Sequence, residues 1–87
     1  MSPIELAAEA AQAMASGHGM ILVIPKGSLP KTFPKGELLN EMRRNGVVER
    51  TYRFEPLRVL DWLVANGLVQ YERTGERTLT IKECAPA

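Results

Sequence analysis

Cysteine, histidine and tryptophan each occur once in these 87 residues. A lone cysteine, Cys84, closes no disulfide within the chain and builds no thiolate metal cage. The single histidine, His18, stands between two glycines at the predicted end of a helix, where it is placed to meet terminal carbonyls rather than to transfer protons. No carboxylate pair falls in a predicted cleft, and Ser2, Ser16 and Ser28 have no base with an orienting third group. No zinc or calcium ligand spacing occurs. Catalytic residues, a cofactor and a metal are therefore not expected, and neither is enzymatic activity.

Long apolar runs are missing too. The longest, Met20 to Pro25, is far too short to span a bilayer, and Glu5 and Glu9 interrupt the N-terminal stretch that a signal peptide would need. No membrane partner and a cytoplasmic location are the expectations. An excess of one charge is also absent: 11 basic residues face 10 acidic ones, for a formal net charge of +1. The distribution is uneven, however. Residues 1–18 carry two acids and no lysine or arginine, whereas residues 26–54 carry seven bases against three acids, a balance of +4. A negatively charged partner would meet the middle of the chain.

What is present is an ordinary globular composition, 45% hydrophobic and 24% charged. This length allows one small domain, 1–87, with a frayed tail at about 84–87. Ser2, Pro3 and Glu5 form a capping box with proline at the first helical position, which starts a helix at about 2–16. Its polar stripe is Glu5, Glu9, Gln12 and Ser16; its broad apolar face is mostly alanine and suits packing on a sheet or self-association. Gly17 or Gly19 ends it. "GMILVIPKG" predicts a buried strand at about 20–24. "KGSLPKTFPKG" is an extended loop, and it lacks the spacing of a phosphate-binding loop.

Residues 36–54 admit two structures. "GELLNEMRR" contains strong helix formers, and Asn45-Gly46 could cap a helix over 35–45. Asn-Gly is equally the signal of a two-residue hairpin, and "VVERTYRF" has strand composition. The hairpin over about 37–43 and 47–54 is the first choice, with Arg43 opposite Val48, Glu41 opposite Arg50 and Leu39 opposite Tyr52. Pro56 opens a second helix at about 56–66, closed by Gly67. Strands at about 68–73 and 77–83 follow. A three-residue loop at 74–76 would align Tyr71 with Leu79 and Val69 with Ile81 on one face. The expected fold is α+β: two helices packed on an antiparallel sheet.

Two groups of side chains are candidates for function. Arg43, Arg44, Arg50 and Arg53, with Lys26, Lys31 and Lys35 nearby in sequence, could neutralise phosphates; the plainer alternative is a solvated strand face laced by Glu41 and Glu49. Trp62 and Arg58, four residues apart on the second helix, are types enriched at protein interfaces. The plainer alternative is a tryptophan packed under the C-terminal hairpin with Arg58 stacked on it.

The run "RVLDWLVANGLVQYERTGERTLTIKE", residues 58–83, resembles the second half of a winged-helix domain, a recognition helix followed by a two-stranded wing. Extended over the chain, the resemblance gives a winged helix-turn-helix with 35–45 helical. It implies DNA binding through Arg58, Asp61, Arg73 and Arg77. "FPKGELL" followed by "YRFEPLRVLDWLVANGLV" is similar to small uncharacterised proteins of tailed phages and prophages, which implies an accessory or regulatory role. The sequence thus points to a small binding protein, in the first place nucleic-acid-binding or transcription-regulating. The alternative is a protein-binding accessory factor. The partners expected are DNA, a host or phage protein, or a second copy of the chain.

Overall fold

The computed structural model describes residues 2–83; the expected frayed tail at about 84–87, with Cys84, lies outside the described residues. The element order is α1 (Pro3–Ser16), β1 (Met20–Pro25), β2 (Glu37–Arg44), β3 (Val47–Phe54), α2 (Pro56–Ala65), β4 (Val69–Arg73) and β5 (Leu79–Glu83). The fold is α+β with antiparallel pairing throughout, as the sequence predicts. The strands divide into two sheets, one ordered β1-β3-β2 and the other β4-β5. Residues 37–44 are a strand, so the helix over 35–45 is not formed.

Local signals explain the boundaries. The Ser2 hydroxyl accepts a 3.2 Å hydrogen bond from the Glu5 backbone N–H, the first half of a capping box. Both helices end in the same way. Gly17 donates to Met14 O and His18 to Ala13 O; Gly67 donates to Val64 O and Leu68 to Leu63 O. Each glycine has positive φ, +73° and +69°, which is the left-handed C-terminal motif glycine makes easy. Asn45 (φ 51°) and Gly46 (φ 77°) form the two-residue turn between β2 and β3, with both central residues left-handed as a type I′ turn demands.

Two registers depart from expectation. In β2–β3, Arg43 faces Val48 and Glu41 faces Arg50 as predicted, but Tyr52 faces Leu38 rather than Leu39, because an irregularity between Leu38 and Asn40 inserts one residue. In β4–β5, Tyr71 faces Ile81 and Arg73 faces Leu79. The connection is therefore the longer Thr74–Thr78, closed by a 3.0 Å bond from Thr74 N–H to Thr78 O. A slip of two residues conserves the face, so Val69, Tyr71, Leu79 and Ile81 still point together into the core.

The core is built by Ala7, Ala10 and Ala13 of α1, Val59, Leu60 and Leu63 of α2, and Met20, Phe54 and Val69. The alanine face of α1 packs chiefly on α2 and then on β5, rather than flat on the large sheet. Small side chains allow that close helix approach, while leucines from α2 supply the volume. The three-stranded sheet joins this body through β1, Phe54 and the loop at 26–36. Four of the five aromatic residues form that joint. Tyr52 lies 5.6 Å from Phe54, Phe54 lies 5.3 Å edge-on from Phe33, and Phe33 lies 5.0 Å edge-on from Trp62. Trp62 is therefore packed against the loop, and its indole N–H donates to Thr32 Oγ1 at 3.1 Å. The fifth aromatic, Tyr71, donates its hydroxyl to Asp61 at 3.1 Å and ties β4 to α2.

Candidate binding surface

Strand alternation sorts the side chains of β1, β2 and β3 onto two faces, and residues opposite one another share a face. Arg43 and Arg50 go with Leu22, Leu38 and Tyr52 on the face turned to the body. Arg44 and Arg53 go with Ile21, Val23, Asn40 and Met42 on the other. The four arginines that sit close in sequence therefore do not converge on one patch. Two are also neutralised. Arg50 Nε lies 2.7 Å from Glu41 Oε1, and Arg53 Nη1 lies 3.2 Å from Glu37 Oε2. Glu41 takes part in this lacing as expected; the second carboxylate is Glu37, and Glu49 makes no ion pair among the described residues. The hydrogen bond from Arg50 holds the Glu41 carboxyl below the ordinary carboxylate range, against desolvation and with help from the charges of Arg50 and Lys26. Arg43 and Arg44, beside the turn, make no ion pair among the described residues.

The remaining candidates are dispersed. Arg58 is exposed on the first turn of α2, and Asp61 is engaged by Tyr71. Arg73 ends β4 and Arg77 stands in the β4–β5 turn. The Arg77 guanidinium lies beside Gly17, 3.3 Å from where a Cβ would stand, which puts a cation at the carboxyl end of α1. His18 is exposed, and its Nδ1 lies 2.8 Å from the carbonyl of the neighbouring Gly19, beyond the helix end, rather than at the terminal carbonyls of α1. Among the described residues no three of histidine, cysteine, aspartate and glutamate converge as metal ligands. No helix among them is long and apolar enough to cross a membrane.

The feature that sequence reasoning missed is the outer face of the sheet. β1 is predicted as a buried strand, yet only Met20 is buried; Leu22 and Ile24 are half-buried, and Ile21 and Val23 are 56% and 60% exposed. Across the same face Met42 is 51% exposed, and Val47, at the turn, 49%. A shallow depression of about 250 Å³ lies there, lined by Val23, Asn40, Met42, Arg44, Glu49 and Thr51. A strand apolar on both sides needs a layer on each. Two helices that pack mainly on each other leave no element for the second layer, and that shortage is the sequence signal for an open face. β2 is exposed along its whole length and has β3 as its only substantial neighbour among the elements. No protein-family model, curated protein or solved structure matches the chain.

Proposed function

We propose that this chain is a non-enzymatic binding module that docks a protein partner on the open face of its three-stranded sheet. The observation that carries this reading is the outward row Ile21, Val23, Met42 and Val47, each about half exposed or more and flanked by the polar groups of Asn40, Arg44, Glu49 and Thr51. An apolar centre inside a polar rim is the anatomy of a protein interface, and monomeric proteins rarely leave such a patch without a use. The excess of base in residues 26–54, with Arg44 on this face making no ion pair among the described residues, favours a partner with an acidic rim.

The test is affinity capture with wild-type chain and with Val23→Glu, followed by hydrogen-exchange footprinting of any reconstituted complex. Protection at residues 21–23, 40–44 and 47–51, lost with Val23→Glu, supports the reading. A complex whose footprint falls on α2 around Arg58 and leaves the sheet unprotected sinks it.

Nucleic-acid binding with a regulatory role is the second reading, favoured by Arg43 and Arg44, two adjacent arginines at the hairpin end that make no ion pair among the described residues. It requires retention of duplex or single strands at low salt that falls steeply as salt rises, and loss of that retention with Arg43→Glu and Arg44→Glu. It stands second because Arg43 and Arg50 lie on the sheet face opposite Arg44 and Arg53, and Arg50 and Arg53 are already engaged by Glu41 and Glu37.

A further inference from the structure

The long edge of β2 poses a separate question from the open face. An exposed edge strand offers unpaired N–H and C=O groups to any passing strand, so proteins block such edges or use them. We propose that two copies of this chain pair their β2 strands antiparallel about a two-fold axis at Met42, fusing two three-stranded sheets into one of six.

Backbone geometry limits which residues can pair. The two-residue turn makes Arg44 and Val47 a hydrogen-bonded pair, and pairs alternate along an antiparallel ladder. Arg44, Met42 and Asn40 therefore turn their N–H and C=O groups towards β3, and Arg43 and Glu41 turn theirs to the open edge. The irregularity between Leu38 and Asn40 interrupts the edge, leaving residues 40–44 as the regular stretch. A two-fold axis must set one residue against its own copy. An axis at Glu41 opposes two carboxylates, and an axis at Arg43 opposes two guanidinium groups. An axis at Asn40 runs the pairing through the irregularity.

An axis at Met42 meets both requirements. It sets Glu41 opposite the second copy's Arg43 and Arg43 opposite its Glu41, and both of these pairs carry the outward hydrogen-bonding groups. Met42 meets Met42 on the open face, and Asn40 meets Arg44 there. The order of charges along "NEMRR" is thus self-complementary in this one register. Arg43, without an ion pair among the described residues, gains a carboxylate. Glu41 keeps Arg50 on its own β3 and acquires a second cation. Cross-strand pairs of unlike charge stabilise and like charges directly opposite destabilise, so the register also excludes its neighbours. The dimer leaves Ile21 and Val23 of each copy exposed, so edge pairing and occupation of the open face are separable.

Sedimentation equilibrium over a concentration series tests this, combined with NMR amide exchange of the same samples. The wild-type chain is expected to pass from monomer to dimer, with the amides of Glu41 and Arg43 gaining protection as the dimer fills. Arg43→Glu changes an exposed side chain with no ion pair among the described residues. It should raise the dissociation constant by about tenfold or more, because two attractive pairs become repulsive. Val23→Glu should leave dimerisation unchanged. A wild-type chain that stays monomeric to its solubility limit overturns the proposal. So does a dimer indifferent to Arg43→Glu, or one that Val23→Glu breaks, since the latter would be association through the open face.

Discussion

At the residue scale, one glycine and one ring fix how the loop enters the sheet. Gly36 precedes β2 and lies flat on Phe54; a Cβ there would stand 2.5 Å from Phe54 Cε1. Phe54 is fully buried and wedged between Tyr52 and Phe33, so the ring has no room to yield. Gly36→Ala is therefore expected to lower stability by about 1–3 kcal/mol, the usual cost of overpacking. Urea denaturation measures it, and a loss below a few tenths would show that the ring moves aside. Gly46 matters for a different reason, its positive φ in an open turn, where a Cβ would meet no described atom within 4 Å beyond its chain neighbours. The sequence marks Gly46 clearly, since Asn-Gly between strand-like segments is a local signal. It says nothing about Gly36, whose neighbour lies 18 positions away. The same division runs through the arginines. Their adjacency in sequence is visible at once, but which face each one takes depends on a hairpin register and on the identity of the partner strand.

At the element scale, hydrogen bonds between side chains hold neighbouring elements in place. Tyr71 on β4 donates to Asp61 on α2, and its phenol is pushed above its ordinary value of 10.0, first by burial, then by the hydrogen bond and the charge of Asp61, with Arg73 opposing. A pKa raised on folding means that the native state favours the protonated phenol. That stabilisation is complete below the ordinary phenol pKa and is lost as pH rises through the higher folded value. Thermal unfolding followed from pH 8 upwards should thus show a decline of Tm beginning near pH 10, reduced in Asp61→Asn, where the carboxylate charge is gone. An equal decline in both proteins would assign the effect to general charge repulsion. Element boundaries were legible because their causes are local: a capping box, two left-handed glycines, prolines at helix starts. Loop length in β4–β5 was not, since Thr74 and Thr78 close it by bonding each other across the turn. The inserted residue near Leu39 leaves no mark in the sequence either, because bulges answer to sheet curvature and not to composition.

At the scale of the whole molecule, the three-stranded sheet is an appendage on a helical body, and this determines what it is free to do. α1, α2, β4 and β5 contact one another in several combinations, whereas the sheet's only substantial element contact with them is α1 against β1. Side chains supply the rest: Met20 and Phe54 enter the core from the sheet, and the loop at 26–36 adds Phe33 between Phe54 and Trp62. A fold joined by so narrow a hinge of aromatic contacts should open in parts before it opens as a whole. Phe33→Ala, half-buried in the native chain, should cost about 2–3 kcal/mol, below the range for fully buried aromatics. The loss should fall unevenly. Native-state hydrogen exchange should show amides of β2 and β3 opening at clearly lower free energy in the variant, while Leu60, Leu63 and Val69 keep most of their protection. Equal losses everywhere would mean that sheet and helices form one cooperative unit. The uneven outcome is the one that suits a binding sheet. An open apolar face and an unpaired edge are costs to a monomer, and a sheet only loosely coupled to the core can adjust to a partner without unfolding the body that carries it.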